Sequence, residues 1–254
     1  MTSITQKTRF QRKRCRPALA ALVAAALLTC GSAAVADDCW TITECELLVP
    51  DACTYTVSGS ESYCRVRIEG TGTIDIPAGT SLTVCRALSV SEDGTIQFSG
   101  DSGSPGEFVA AANLRMDGTF KVAGSAGGVI QSYAGGDVLT ISSSGKIEAP
   151  DGPLTLSADL EMDGTVTADG PHTITVDTYG PRAGSSGTWE VKNASGKIKI
   201  AIATTLNSGQ VLISAGIFGC RQDFTTGGGV KLTGGQIKVS YGKTFTASGP
   251  YSAP

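Results

Sequence analysis

Three aspartates recur at the same place in a repeated pattern and are the first candidates for metal chemistry. Asp93, Asp117 and Asp163 each precede a glycine between two alternating apolar runs. Carboxylates stacked at equivalent positions would form a column that binds calcium through oxygen ligands. Asp before Gly is also common in turns, and Ser144 stands at the equivalent position between Asp117 and Asp163. We therefore expect turns here and predict no metal or cofactor, with calcium on this column as the alternative.

A catalytic centre is harder to assemble from the sequence. The sequence has a single histidine, His172, and no Gly-x-Ser-x-Gly motif that would supply a nucleophilic serine beside it. It also has no His-Glu-x-x-His zinc motif. A lyase would need Arg or Lys facing clustered carboxylates, and a glycoside hydrolase would need two acids about 5–10 Å apart. Glu148, Asp151 and Glu161 meet that need only if the fold brings them together. We predict no catalysis, with a polysaccharide lyase or glycoside hydrolase acting on an extracellular polymer as the alternative.

Six of the eight cysteines lie after residue 36, and five of these crowd into one segment. An exported chain favours disulfides over free thiols. Zinc sites usually show paired C-x2-4-C ligands, which this spacing lacks. We therefore expect disulfides that staple an N-terminal cap, in a connectivity that the sequence leaves open. The candidates are Cys39, Cys45, Cys53, Cys64 and Cys85.

Cys220 stands far along the chain from the other cysteines. In the linear repeat that the sequence predicts, it lies ~25 Å from Cys85, whereas the Cα atoms of a disulfide must come within ~7 Å. We therefore expect Cys220 to stay unpaired with the cap, which leaves one cap cysteine free as well. A buried thiol is the favoured interpretation, and an intermolecular bridge is the alternative.

The first 36 residues have the features of an export signal. Six basic residues lie between Lys7 and Arg16, an apolar run covers residues 18–28, and Ala34-Val35-Ala36 offers a small-x-small cleavage site. The run is shorter than the ~20 residues of a spanning helix, so we expect no transmembrane segment after signal removal. The predicted localisation is secreted or outer cell surface. Lipidation of Cys30 is the alternative route to an anchored protein.

The charge balance disfavours two classes of partner, nucleic acids and anionic lipid surfaces. The signal holds six of the twenty basic residues and none of the twenty-three acidic ones, so fourteen basic residues remain and the net charge becomes −9. Nucleic acids and anionic lipid surfaces attract clustered Lys and Arg. We predict no nucleic-acid partner, and expect an extracellular glycan or matrix, or another copy of the chain.

A repeated sequence pattern predicts the strands that would position these residues. In this pattern, which we call the repeated phrase, apolar residues alternate on both sides of a glycine. Its copies begin 26, 25 and 21 residues apart, which is the spacing of a solenoid repeat. The four copies are Leu88-x-Val90 with Gly94-x-Ile96-x-Phe98, Leu114-x-Met116-x-Gly118-x-Phe120-x-Val122, Leu139-x-Ile141 with Gly145-x-Ile147-x-Ala149, and Leu160-x-Met162-x-Gly164-x-Val166-x-Ala168.

Side-chain parity distinguishes a parallel solenoid from a row of hairpins. Asp-Gly between apolar runs ordinarily indicates a hairpin, yet a hairpin at Gly118 would place Met116 and Phe120 on opposite faces. If the chain instead continues through a bend, Met116, Gly118 and Phe120 all point inward. The same parity holds in the other three copies. We therefore predict glycine corners in a parallel β-helix.

A third apolar pair follows several copies, as at Leu82-x-Val84 and Ile174-x-Val176. Three short strands in ~20–27 residues describe one turn of a right-handed parallel β-helix, a solenoid of the all-β class. Odd spacings near Asn193 and Gly234 predict a bulge or a lengthened turn there. The predicted organisation is a signal peptide at 1–36, a Cys-rich cap at 37–64, a solenoid of about seven to eight turns at 65–245 and a tail at 246–254.

Threonine pairs of the form Thr-x-Thr recur at residues 71/73, 165/167, 173/175 and 244/246. They fall at different positions relative to the repeated phrase. We therefore expect no flat threonine array.

The pattern h-x-h-x-x-x-G-[TK]-h-x-h, where h is apolar, occurs at residues 88–98 and 139–149. It resembles the turns of right-handed β-helix surface proteins: autotransporter passenger domains, filamentous-haemagglutinin-like adhesins and polymorphic outer-membrane proteins. The resemblance covers roughly residues 65–245, includes no translocator domain, and implies a fold of the pectin-lyase-like type. It also implies a secreted or cell-surface module with a structural or adhesive role that contacts glycan or matrix.

Overall fold

The computed structural model describes residues 41–43, 45–134, 136–178, 180–182 and 184–253. The predicted signal peptide, Cys30 and Cys39 lie outside the described residues. Strands and turns make up the described part of the chain, which contains no helix long and apolar enough to cross a membrane.

The strands of the described residues are short, and most contain three to five residues. In chain order they are β1 (Thr41–Thr43), β2 (Glu46–Val49), β3 (Thr54–Thr56), β4 (Ser60–Ile68), β5 (Thr73–Pro77), β6 (Ser81–Val90), β7 (Thr95–Ser99), β8 (Gly106–Ala110), β9 (Leu114–Met116), β10 (Thr119–Val122), β11 (Gly128–Ser132), β12 (Val138–Ile141), β13 (Lys146–Glu148), β14 (Leu154–Ser157), β15 (Asp159–Met162), β16 (Thr165–Ala168), β17 (Thr173–Val176), β18 (Gly180–Pro181), β19 (Thr188–Val191), β20 (Lys197–Ile200), β21 (Thr204–Leu206), β22 (Gln210–Ile213), β23 (Ile217–Cys220), β24 (Phe224–Thr226), β25 (Val230–Leu232), β26 (Gln236–Val239), β27 (Phe245–Ala247) and β28 (Tyr251–Ser252).

These strands wind into a right-handed parallel β-solenoid of about nine turns with three faces. Face 1 contains β8, β11, β14, β17, β20, β23 and β26. Face 2 contains β3, β5, β7, β10, β13, β16, β19, β22, β25 and β28. Face 3 contains β9, β12, β15 and β18, followed by β21, β24 and β27 in the later turns.

The first turns are built from two long strands that bend from face 1 onto face 3. The first half of β6 pairs with β8 on face 1, while its second half carries Leu88 and Val90 of the repeat toward β9 on face 3. β4 follows the same course, with a register shift between Tyr63 and Arg65 at the bend. β2 pairs parallel with the second half of β4, and β1 covers β2 as its antiparallel neighbour.

The repeated phrase is confirmed as the stacking unit. Leu139 pairs with Leu114 and with Leu160 on face 3, so three copies of the first half of the phrase align. On face 2, Phe120 pairs with Ile96 and with Ile147. The alternation therefore places equivalent apolar residues directly above one another, and all six of these side chains are 0–3% exposed.

Glycines occupy the corner between face 3 and face 2 in successive turns. The residue after each glycine donates its backbone N–H to the glycine one turn earlier, as Thr119 does to the carbonyl oxygen of Gly94 at 2.9 Å. A Cβ on Gly118 would lie closer than 3.0 Å to the carbonyl oxygens of Gly94 and Ser91, so only a hydrogen fits. The prediction of inward-pointing glycine corners is confirmed. The column comprises Gly72, Gly94, Gly118, Gly145, Gly164, Gly187 and Gly209.

Aromatic side chains fill the middle of the core. Phe98 and Phe120, one turn apart, stack with ring centroids 6.4 Å apart and an interplanar angle of 15°. Phe108 meets Phe120 edge-on at 5.0 Å from the adjacent face. All three rings are 0% exposed. Such contacts add about 0.5–1.5 kcal/mol each to the burial of apolar surface.

Two details of the predicted organisation change. The solenoid has about nine turns, more than the seven to eight predicted, because parallel pairing already begins at Glu46 and still includes Ser252. The odd spacings near Asn193 and Gly234 fall in the turns between face 2 and face 1. They are turns of different length, and the register shift in the long strands lies elsewhere, at Tyr63.

Candidate functional site: a basic groove on face 1

A shallow groove of about 580 Å³ runs across four neighbouring strands near the C-terminal end of face 1. It is lined mainly by outward side chains of β17, β20, β23 and β26 and by the residues that directly follow β23 and β26. Four of its lining residues are cationic, namely Lys197, Lys199, Arg221 and Lys238, and none is acidic. We call this surface the basic groove.

Strand alternation explains why the lysines face outward. In the sequence Lys197-Ile198-Lys199-Ile200, both isoleucines are 0% exposed in the core. The two lysines must therefore project to the other side of the sheet, where they are half-buried. In an α-helix, the same two lysines would not project to one side.

Gly219 creates the depression between the lysines. It pairs with Lys199 on one neighbouring strand and with Lys238 on the other. A Cβ built on Gly219 would meet one atom within 4 Å, the carbonyl oxygen of Ile198 at 3.8 Å. Unlike the corner glycines, Gly219 is not required by packing, and its missing side chain leaves open space between the positions of Lys199 and Lys238.

The cations of the basic groove have no anionic partner among the described residues. The described residues form four ion pairs, and none of them includes a cation of the basic groove. The pairs are Arg67–Glu69, Arg115–Asp117, Arg182–Asp159 and Lys192–Glu190. Like charges on adjacent strands repel, and the repulsion is relieved when an anion binds between them. The arrangement is suited to holding carboxylate, sulfate or phosphate groups.

A second hollow of about 400 Å³ continues the basic groove toward the turns between face 2 and face 1. It shares Ile217 and Lys238 with the basic groove and adds Ala194, Ser214 and Gln236. A ligand longer than one sugar or phosphate group could therefore lie across both hollows.

Cys220 lies under the floor of the basic groove. It is the last residue of β23, points into the core and is 2% exposed. It is a free thiol, and burial raises its pKa to about 12. β23 lies six strands from β6, which carries Cys85, so the stacking separates Cys220 from the N-terminal cysteines.

The four N-terminal cysteines that the structure describes are all disulfide-bonded. Cys45 and Cys64 form a disulfide with a Cα–Cα distance of 5.1 Å, and it links β4 to the turn before β2. Cys53 and Cys85 are disulfide-bonded as well.

The three aspartates considered for calcium occupy equivalent turns, but Asp117 and Asp163 form hydrogen bonds with nearby side chains. Asp117 accepts a hydrogen bond from Arg115 Nε at 3.0 Å, and Asp163 accepts one from Ser186 Oγ at 2.7 Å. Asp93 is exposed. A hydrogen bond from Ser142 and the charge of Arg115 lower the pKa of Asp117. Among the described residues, no group of three or more His, Cys, Asp or Glu side chains is arranged to hold a metal ion.

The acids considered for catalysis are distributed over the solenoid. Glu148 lies on face 2, Glu161 lies on face 3, and Asp151 lies in a turn between face 2 and face 1. His172 is half-buried just before β17, where its carbonyl oxygen accepts the backbone N–H of Lys197 at 3.0 Å. Glu148 and Glu161 therefore lie on different faces of the solenoid.

One polar cluster in the first turns escaped the sequence analysis. Glu61 accepts hydrogen bonds from the hydroxyls of Tyr55 at 2.5 Å and Tyr63 at 3.0 Å, and from the backbone N–H of Ser58 at 2.9 Å. The two tyrosine hydroxyls lie 2.8 Å apart. Burial raises the pKa of Tyr63 to about 12 and that of Tyr55 further above its usual range. No local motif predicts this contact, because Tyr55 lies on face 2 while Glu61 and Tyr63 lie on β4.

A column of threonines on face 2 also escaped notice. Each member follows a corner glycine or its equivalent, and paired strands place them above one another. The recurring Gly-Thr dipeptide was the available signal. The Thr-x-Thr pairs themselves lie on different faces, 165/167 on face 2 and 173/175 on face 1. The column contains Thr54, Thr73, Thr95 and Thr119, then Lys146, then Thr165 and Thr188.

No protein-family model, curated protein or solved structure matches the chain. The class is therefore defined by the structure itself: a right-handed parallel β-solenoid that carries a basic groove on one face.

Proposed function

We propose that this protein is a secreted or surface-displayed adhesive module that binds an anionic extracellular glycan or matrix polymer and carries out no catalysis. The observation that supports the proposal is the basic groove, with four cations on adjacent turns and no carboxylate in its lining. The signal-like first 36 residues and the disulfide between Cys45 and Cys64 favour an exported protein, since disulfides persist in oxidising compartments.

The spacing of the charges favours a polymer over a small anion. Lys199 and Lys238 lie two strands apart, which corresponds to roughly 10 Å along the solenoid axis. A polymer that repeats a negative group can contact several cations at once. Once the first group is bound, the next groups are held close to the remaining cations, which raises the overall affinity. Lysine side chains are flexible point charges that adapt to such a ligand without fixing one geometry.

The same lining argues against the enzymatic alternative. A uronate lyase needs Arg or Lys facing clustered carboxylates, and a glycoside hydrolase needs two acids, whereas the lining of the basic groove contains cations, threonine hydroxyls and a buried thiol but no carboxylate. The carboxylates of Glu148 and Glu161 project from other faces. Binding without bond cleavage is the activity that this arrangement supports.

The proposal is tested by measuring the affinity of the purified protein for a charged polymer and for its neutral counterpart. Polygalacturonate and its methyl-esterified form share one backbone and differ only in charge, and a sulfated glycan with its desulfated form gives a second pair. We expect binding to the charged member of at least one pair, at least tenfold tighter than to the neutral member. Equal binding to both members, or binding to neither in both pairs, contradicts the proposal. Release of reducing ends or unsaturated products from any of these polymers contradicts its non-catalytic part.

A further inference from the structure

A fully exposed tyrosine lies at one end of the basic groove. Tyr241 directly follows Lys238, Val239 and Ser240 in the sequence, and all three of these residues line the groove. Tyr241 itself is fully exposed, so its ring does not pack against the solenoid. An aromatic face that is left in water gains free energy when an apolar surface covers it.

A tight turn fixes the position of this tyrosine. The backbone N–H of Lys243 donates to the carbonyl oxygen of Ser240 at 3.0 Å, which closes a four-residue turn with Tyr241 as its second residue. Gly242, the third residue, has a φ of 72°, as a type II turn requires at that position. The turn therefore presents Tyr241 at its tip, with its Cα atom at most about 11 Å from that of Lys238.

The neighbouring strand brings a cation to the same end of the groove. Cys220 pairs in register with Val239, so the residues that follow them, Arg221 and Ser240, lie side by side at the strand spacing of roughly 4.8 Å. Val239 is 39% exposed and adds apolar surface. A guanidinium group, a hydroxyl group and an aromatic ring are therefore offered close together.

This combination distinguishes sugars from other polyanions. A sugar ring has a face of C–H groups, whose slightly positive hydrogens fit the negative face of an aromatic ring. Carboxylate or sulfate substituents on the same sugar form charge-assisted hydrogen bonds with Lys and Arg. A polyphosphate chain carries charge without an apolar face, so it would leave the ring of Tyr241 uncovered.

We propose that Tyr241 stacks on a sugar ring of the ligand that occupies the basic groove, and that this ligand is therefore an anionic glycan and not a polyanion without sugar rings. The inference rests on the proposed function, because it adds one aromatic contact to the same groove. The lysines and Arg221 bind the charges of the polymer, and Tyr241 selects for its sugar rings.

The experiment compares the affinities of the wild-type protein, Tyr241→Ala and Tyr241→Phe for two glycans, polygalacturonate and dextran sulfate, and for inorganic polyphosphate. We expect Tyr241→Ala to bind at least one of the glycans about fivefold more weakly and to bind polyphosphate as the wild type does. Tyr241→Phe keeps the ring face and should bind that glycan with wild-type affinity. Because Tyr241 is fully exposed, both variants should unfold at the wild-type temperature, which thermal denaturation checks.

Tyr133→Ala is the matched control. Tyr133 is 69% exposed and follows β11 on face 1, five strands from β26, which is roughly 24 Å along the solenoid axis. This variant should bind all three polymers as the wild type does. An equal loss of glycan affinity in Tyr241→Ala and Tyr133→Ala overturns the inference. So does a loss in Tyr241→Ala that is equal for the glycan and for polyphosphate.

Failure of this inference is distinguishable from failure of the proposed function. If the wild type binds a glycan and Tyr241→Ala binds it equally well, the stacking contact is wrong while glycan binding by the protein stands. If the wild type binds neither glycan, both proposals are wrong.

Discussion

Lys199 and Lys238 face each other across Gly219, each paired with it in register on the neighbouring strands of face 1. The Cα atoms of the two lysines are thus roughly 10 Å apart, with open space above Gly219 between them. A negative group bound there would interact with both. The strand pairing of the solenoid, which is set by buried side chains, therefore fixes the spacing of the backbone positions that carry these flexible charges.

Gly219→Glu should remove polyanion binding while leaving the fold intact. The new carboxylate would occupy the space between the two ammonium groups and pair with them, so an external anion would have to displace it. We expect at least a tenfold loss of affinity for the charged polymer. Gly219→Gln fills the same space without the charge and should lose less. Equal losses in the two variants would mean that space, and not charge, governs binding.

The two kinds of glycine should respond differently to substitution by alanine. A Cβ on Gly118 would approach carbonyl oxygens closer than 3.0 Å, and we expect Gly118→Ala to lower the free energy of unfolding by about 2–3 kcal/mol. A Cβ on Gly219 meets only one atom, at 3.8 Å, so Gly219→Ala should raise it by roughly 0.5–1 kcal/mol. Urea denaturation measures both. A similar loss in both variants would contradict the steric account of the corner column.

Stability should fall at alkaline pH because of the tyrosines in the first turns. Burial raises the pKa of Tyr63 from 10.0 to about 12, so the folded state favours the protonated phenol. Its contribution is complete below pH 10 and is lost as the pH rises toward 12. Denaturant unfolding between pH 9 and 11.5 should show this decline. Tyr63→Phe should be less stable at pH 7, because Glu61 loses a donor, and should show a shallower alkaline decline. An unchanged decline would assign it to other groups.

Cys220 should be unreactive toward thiol reagents in the native protein. Its side chain is 2% exposed and burial raises its pKa to about 12, so little thiolate is available at neutral pH. We expect labelling by a disulfide-exchange reagent at a rate that follows global unfolding, and rapid labelling in denaturant. Cys220→Ala supplies the blank for this assay. Rapid native labelling would show that the floor of the basic groove opens locally.

The scaffold was predictable because it depends on a period. Leu114, Met116, Phe120 and Val122 alternate without interruption through Gly118, and that parity excludes hairpins before any contact is known. The number of turns was underestimated, since β2 and β3 carry the alternation without the glycine phrase. Buried positions repeat throughout, whereas outward positions repeat only in places such as the threonine column of face 2, so the pattern described the core better than the surface.

The site could not be derived in the same way. Lys199 and Lys238 are 39 residues apart in the sequence, and their proximity depends on the lengths of two intervening turns that follow no period. The contact of Glu61 with Tyr55 likewise joins two faces through a bend. In contrast, the threonine column of face 2 has a local signal, because a Gly-Thr dipeptide recurs at the corner glycines and strand pairing places these threonines above one another.

The most direct measurement of the central claim is the salt dependence of polyanion affinity for the wild-type protein and for Lys199→Gln/Lys238→Gln. If the basic groove binds the polymer, affinity falls steeply with salt, because bound cations displace counterions from the polymer. The double variant should then bind at least tenfold more weakly and show a shallower salt dependence, while Lys121→Gln/Lys146→Gln on face 2 matches the wild type. Equal affinity and equal salt dependence in all three proteins would contradict the account and place any anion binding elsewhere on the solenoid.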